Sequence, residues 1–532
     1  MSIEQEHDQD HDDVRQTRSD LLRTAAGSAF LLSGAPRIEG LMSALDERVA
    51  AATPRRGGEL RVGLTGGSAA DTLDAGLPTA NYPDTLRVMA LYNGLVRLSV
   101  DAREVVYDLA EEISSSKDAK TWTVRLKDGV TFHNGKPVTA ADVIYTLRRI
   151  GNPKKPLAGA SSIAPLELTS MKAVDKRTVR LHMKTPYATF LDQISGYYFF
   201  GIVPVGYDPR RPIGTGPFKF QSFTPGQQSV FTRNENYFRH GRPYVEKLTI
   251  IDSFATPTAT FNALQGGQID VQPQAPFAQV RQAQRAGLKV VESRPGLWTP
   301  VTMRVDAKPF DDVRVRQAFR LMVDRQQMID QSLNGYGIVG NDVFSLWDKN
   351  RDTSLTRDQD VDRAKALLKA AGHENLTVEL VTADIAAGVV EAAQVFAQQA
   401  KAAGADVKVR KVPAGTFFGS NYLKWPLAQD FWGYAPYFTQ IAQATLPTSP
   451  YSETHWNDPH YIKLYEQANR TTNAKLKREI AHELQRIDFQ RGGYIIYAFN
   501  KLVTFTSQKV SGIARSGAGI DPAYSWETVW LS

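Results

Sequence analysis

The chain has 532 residues, 42% of them hydrophobic and 22% charged, with a formal net charge of +7 and no cysteine. That length exceeds what one hydrophobic core supports, so at least two domains or lobes are expected. The missing thiol excludes disulfides, zinc–thiolate centres, a cysteine nucleophile and a lipidated cysteine anchor, and the lysines and arginines form no run suited to nucleic acid.

The first twenty residues hold seven acids against Arg15 and Arg18. A moderately apolar, Ala/Gly-rich stretch follows from Leu21 to Pro36, and Ala50-Ala51-Ala52 offers a small-residue cleavage site. Residues 1–53 read as an export leader of a degenerate twin-arginine type, because Arg18-Ser19-Asp20-Leu21-Leu22 lacks the paired arginines. A cytoplasmic leader with an amphipathic helix is the other reading; the rest of the chain favours export, which would put it in the periplasm or on the outer side of the cell. No stretch reaches the roughly 18 apolar residues needed to span a bilayer.

From Gly57 the pattern is clean. Leu60, Val62 and Leu64 alternate as a strand that ends at Thr65-Gly66-Gly67-Ser68, and a helix is expected from Asp84 to Tyr92 before the turn Asn93-Gly94. Trp122, Val124 and Leu126 predict a second strand. Thr139 with Asp142 three residues on predicts a helix start, with Val143, Leu147 and Ile150 on one face. Val179, Leu181 and Met183 alternate again, and Pro212 to Pro217 reads as a crossover. Asp311 or Asp312 opens a helix carrying Val315, Ala318, Phe319 and Met322, expected to run to about Gly335. A helix at 361–371, a strand at Leu376, Val378 and Leu380, a helix at 389–403 and a strand at Val407 and Val409 follow. Strand–helix–strand with short links implies a parallel pair. A late helix (Leu476, Ile480, Leu484, Ile487) leads into one apolar strand from Tyr494 to Phe499.

The segment Trp122-Thr-Val-Arg-Leu-Lys-Asp-Gly-Val-Thr-Phe-His-Asn-Gly-Lys-Pro-Val-Thr-Ala-Ala-Asp-Val-Ile-Tyr145 resembles the signature of the family 5 extracellular solute-binding proteins, the peptide, oligopeptide and nickel-binding subunits of ABC importers. Further matching segments follow in order: Gly214 to Lys219, Arg233 to Phe238, Ala263 to Asp270, Pro309 to Ala318 and Ala364 to Gly372. The resemblance covers residues 57–531. It implies an α/β, two-lobe, periplasmic-binding-protein-like fold of class II type with an extra α+β subdomain on lobe I. Lobe I would take residues 54–105, 211–294 and 501–532, the subdomain 106–210, and lobe II 295–500. It also implies a monomer that traps a peptide or peptide-like small solute in its cleft and delivers it to the permease subunits, with no cofactor.

Residues 417–456 hold eleven aromatic rings with no helical or strand period, a pattern of loops that line a cavity. Phe417, Trp432, Gly433, Tyr434 and Tyr437 are therefore candidate ligand contacts. The resemblance adds Thr65, Gly66, Tyr92 and Asn93 on lobe I, and Trp298 with Arg304 at the start of lobe II. Peptide-binding members resemble one another in an aspartate just after the Phe431-Trp432-Gly433 segment, where it pairs with the peptide amine. None stands here between Phe431 and Tyr451. Asp430, Glu453 and Asp458 are the substitutes to examine, and a sugar or opine-like conjugate or a nickel chelate is the alternative ligand. A hydrolytic enzyme is the alternative of another class, but no Gly-x-Ser-x-Gly elbow, P-loop or His-Glu-x-x-His is present. His455 and His460 straddle Asp458-Pro459 and read as turn residues rather than metal ligands.

Overall fold

Leu60, Val62 and Leu64 are all buried along the strand Glu59–Thr65, which explains why its apolar alternation is so regular. In the computed structural model, which describes residues 53–76, 82–196, 199–518 and 526–532, this strand is central to a seven-stranded sheet. The leader and its cleavage site lie outside the described residues. The sheet runs in the order Lys289–Glu292, Val503–Thr506, Val271–Gln272, Glu59–Thr65, Lys247–Phe254, Gln228–Arg233 and Phe218–Thr224. Val503–Thr506 lies antiparallel to both of its neighbours, so the end of the chain returns to the sheet that its beginning started. Among the described residues no helix is long and apolar enough to cross a membrane.

Residues from Ala110 to Ala173 and Thr178–His182 build a separate four-stranded antiparallel layer around Thr121–Leu126. The helix Ala140–Ile150 covers it with Val143, Leu147 and Ile150, and the Asp142 carboxylate accepts from the Thr139 N–H (2.9 Å) and hydroxyl (2.6 Å). This layer has its own core, as a subdomain should.

A five-stranded sheet forms the second lobe, ordered Ala405–Lys411, Leu376–Thr382, Leu427–Gln429, Val301–Met303 and Tyr494–Ile495. Its first two strands are parallel and joined by the helix Val389–Ala402, whose end is turned by Gly404 at φ +82°. The chain is thus α/β, with two main sheets and an accessory layer. Two elements differ from expectation. The helix opened by Asp312 stops at Leu321, because the Asp324 carboxylate accepts from the Gln327 N–H (2.9 Å) and starts a new helix, Arg325–Leu333. The single strand expected at 494–499 is two: Tyr494–Ile495 pairs with Val301–Thr302, and Ala498–Asn500 with Gly337–Val339.

The first sheet is pinned to its covering helix, Tyr82–Leu91, by one cation. Arg87, fully buried, donates to Ser229 Oγ (2.6 Å), Asp84 Oδ1 (2.6 Å) and Asp71 Oδ2 (3.2 Å), and pairs with Asp252. Burial, and then the neighbouring Asp71 carboxyl, push Asp252 up to about 6. Arg87→Met would leave these carboxyls without their cation. It should lower the unfolding free energy by about 3–5 kcal/mol in urea denaturation, and a loss under about 1 kcal/mol would show the cluster to be dispensable.

Candidate functional site

The chain passes between the two main sheets at 293–300 and again at 496–503. Backbone bonds tie the two crossings together: the Gly296 N–H donates to Asn500 O (3.1 Å) and the Asn500 N–H to Leu297 O (2.6 Å). A Cβ at Gly296 would come within 2.1 Å of the Gly517 carbonyl oxygen, so a side chain there would drive the first lobe's tail away. One step further, Trp298 and Trp432 exchange both backbone bonds (2.9 and 2.8 Å), which fixes the 431–438 segment to the crossing. Tyr434 packs into the core of the first lobe, whereas Trp298, Tyr437 and Phe438 belong to a core of the second. Residues 432–434 therefore straddle the seam, with Gly433 exposed between them.

Aromatic rings line this seam in series. Trp298 stacks on Phe344 (6.0 Å between centroids) and on Trp432 (5.9 Å), Phe344 stacks on Tyr437 (5.0 Å), and Trp432 meets Tyr451 edge-on (5.8 Å). Phe418 meets Phe431 at 6.4 Å. Phe418, Phe431 and Tyr451 remain 40%, 39% and 39% exposed, a large apolar area to leave in water unless something covers it.

Two buried acids stand behind the rings. Glu453 Oε1 accepts from Trp432 Nε1 (2.9 Å), and Asp430 accepts from the Tyr422 hydroxyl (3.0 Å) and the Phe431 N–H (2.8 Å). The two carboxyls lie within hydrogen-bond reach of each other. Burial pushes Asp430 up to about 6 and Glu453 well above the carboxylate range, the latter helped by the charge of Asp430. Like charges so close disfavour ionising both carboxyls, so the pair resists a second negative charge. No lysine or arginine among the described residues offsets it. Some other buried acids have such a partner: Arg239 for Asp108, Arg325 and Arg357 for Asp342.

Unpaired polar atoms concentrate in the same stretch. Among the described residues, both amide atoms of Gln429 and of Gln440 and the hydroxyls of Thr439 and Ser452 have no hydrogen-bond partner; nor do the amide atoms of Asn500 at the crossing. Buried polar groups are nearly always paired, so such a concentration points to partners supplied from outside the chain.

Of the residues singled out from sequence, the structure brings Trp298, Trp432, Gly433, Tyr434 and Tyr437 together. Phe417 is buried behind Phe418 at 5.0 Å. Arg304 is engaged elsewhere, forked onto Asp306 (3.0 and 2.8 Å) and donating to Lys424 O (3.0 Å). Tyr92 is buried in the first lobe, with its hydroxyl donating to Leu73 O (2.8 Å), and Asn93 bonds Asp108 and Thr215. Thr65 and Gly66 end the first strand, Gly66 at φ +90° with open space around it. His455 binds Asp306 and the Leu423 carbonyl, and no group of three or more His, Cys, Asp or Glu among the described residues is placed to hold a metal ion. Sequence reasoning did not foresee that Asp430 and Glu453 face each other. The only signal was two acids flanking the acid-free stretch from Phe431 to Tyr451.

Comparison with known proteins identifies the family and the fold. The family model described as bacterial extracellular solute-binding proteins, family 5 Middle, matches residues 104–461. The glutathione-binding protein GsiB of Pectobacterium atrosepticum is 25% identical over 452 residues, which is 80% of this chain and 85% of that protein. Two solved structures share the fold. One is DppA of Helicobacter pylori in complex with the peptide STSA, with a TM-score of 0.76 at 20% identity, covering 90% of this chain and 98% of that one. The other is AgaA of A. tumefaciens R10 in complex with agropinic acid, with a TM-score of 0.75 at 20% identity, covering 89% and 99%.

This closeness of Asp430 and Glu453 makes the two acids energetically one unit. A double-mutant cycle of Asp430→Asn and Glu453→Gln, followed by urea denaturation, should depart from additivity by about 0.5–3 kcal/mol. Additivity within about 0.3 kcal/mol would mean that the carboxyls do not interact.

Proposed function

Because the chain belongs to the family 5 bacterial extracellular solute-binding proteins, which capture a solute for an ABC importer, we propose that it holds one small organic solute, a peptide or peptide-like molecule, at the seam between its lobes. The observation that carries this reading is the exposed aromatic face of Phe418, Phe431 and Tyr451, with half-buried Trp432 beside them, over an acid pair with no cation of its own among the described residues. Rings accept a planar or apolar part of the solute, and a cation held over an aromatic face gains about 0.5–2 kcal/mol. The carboxyl pair supplies the counter-charge for an amino or guanidino group, the role an aspartate after this segment plays in peptide-binding members. Gln440, Asn500 and the hydroxyls of Thr439 and Ser452 offer donors and acceptors for its amide groups. Closure of the lobes then buries the solute and presents the surface that the importer reads. The protein acts as an extracytoplasmic monomer that captures its solute and releases it unchanged. A conjugate of a sugar or amino acid with an opine-like frame is the second reading, favoured by the exposed rings.

Thermal shift against di- and oligopeptides, opine-type conjugates, oligosaccharides and nickel chelates tests this. A true solute at about 100 times its Kd should add about 2.7 kcal/mol, or roughly two to three degrees in Tm for a chain this long. Trp432→Ala and Tyr451→Ala should each weaken binding about tenfold or more, while Tyr107→Ala, exposed on the first lobe, should not. For a cationic solute, affinity should rise as pH increases through about 6, where Asp430 ionises and supplies the negative charge. Equal binding by Trp432→Ala and wild type would overturn the assignment of the seam.

A further inference from the structure

The accessory layer is built on the first lobe, yet it reaches the second: Ser161–Ile163 packs beside Ile441–Thr445, and one short segment makes four hydrogen bonds across. The Ala188 N–H donates to Asn469 O (2.8 Å), Thr189 Oγ1 donates to Asn469 Oδ1 (2.6 Å), Gln193 Nε2 donates to Phe438 O (3.0 Å), and Lys477 Nζ donates to Ala188 O (2.9 Å). Thr189, Gln193 and Asn469 are buried by these contacts. All four bonds join residues 188–193, which include the short helix Phe190–Gln193, to three separate places of the second lobe. Those places are the helix Tyr437–Gln440, the end of Pro459–Asn469 and the start of Ala474–Arg491. The first of them directly follows the ring-bearing segment 431–434.

We propose that residues 188–193 are a latch by which the accessory layer holds the second lobe closed, so that this layer sets how readily the lobes part. The proposal rests on the reading that the lobes open to admit a solute. Neutral hydrogen bonds suit such a part: each contributes about 0.5–1.5 kcal/mol net, strong enough together to bias an equilibrium and weak enough to be broken repeatedly. The segment is also anchored on its own side, with the Tyr187 hydroxyl donating to Ser162 O (2.8 Å), so the latch moves with its layer.

Closure by this latch takes up a proton. Asp192, half-buried in the segment, faces Asp348, Lys477 and Lys349 of the second lobe, and the hydroxyls of Tyr187 and Tyr434 sense its charge. Burial, and then the like charge of Asp348, raise Asp192 to about 6, with the lysines acting against them. Parting the lobes returns it to the ordinary range near 4. The latched form is therefore favoured below about pH 6 and loses that advantage as pH rises through it. Burial lowers Lys477 from its ordinary range, an opposing effect that sets in at higher pH.

The absence of cysteine makes the test direct. Val174→Cys on the accessory layer and Lys365→Cys on the second lobe, both exposed, carry a spin-label pair, and distances are read without solute. Thr189→Val with Gln193→Leu should raise the ratio of long to short distances at least threefold while the variant still unfolds in one cooperative urea transition. The wild-type ratio should rise at least threefold, and at most about a hundredfold, from pH 4.5 to pH 7.5. Asp192→Asn should flatten that rise. Distances unaltered in the folded double variant would overturn the latch, and a pH-independent wild type would overturn the role of Asp192. Failure of the solute-binding reading would look different: no solute would shift the melting point, whatever the distances did.

Discussion

The site depends on a single backbone arrangement, the reciprocal pair of hydrogen bonds between Trp298 and Trp432. Trp298 lies where the chain leaves the first lobe, and Trp432 opens the segment that carries rings across the seam. Bonding them to each other places the indole of Trp432 over the crossing and sends the next residues in opposite directions, Tyr434 into the first core and Tyr437 into the second. Proline at 436 and glycine at 433 keep this stretch from joining a helix or the sheet. A surface built on the crossing itself changes when the lobes move. Binding and motion are therefore coupled by construction.

Charge placement separates the scaffold from the site. In the scaffold, several buried carboxylates have arginines: Arg87 among Asp71, Asp84 and Asp252, Arg239 on Asp108, Arg325 and Arg357 on Asp342, whereas Asp142 and Asp488 are held by hydroxyls. These pairs hold elements distant in sequence and tolerate no loss of one partner. At the seam, Asp430 and Glu453 have only neutral donors and each other. A buried negative charge left in that state disfavours the free protein slightly and rewards whatever brings a cation, a difference in free energy that can be spent on recognition.

Much of the fold was legible from local pattern. Alternation at Leu60–Leu64 and Trp122–Leu126, the Thr139–Asp142 start, and the glycines after the helices ending at Ala370 and Ala402 each follow from one short-range cause. The misses have tertiary causes. The apolar run after Gly493 divides between two sheets because its partners, Val301–Thr302 and Gly337–Val339, come from distant parts of the chain. The long helix breaks at Asp324 because that carboxylate caps the helix beginning at Arg325, while Gln399 of a distant helix bonds its backbone. At the site, the aromatic run showed where to look, since period-free rings read as loops. Which rings are exposed was not legible: Phe417 and Phe418 are neighbours in sequence, yet one is buried and the other is not. Nor was the pairing of Asp430 with Glu453, which exists only once the loop between them has folded back.

The most direct measurement is a crystal structure with whichever solute raises the melting point most. The solute should lie between the lobes within van der Waals contact of Trp432 and Tyr451, with a nitrogen directed at Asp430 and Glu453. A well-ordered solute bound elsewhere, touching none of residues 418–453, would contradict the assignment of this seam as the binding site.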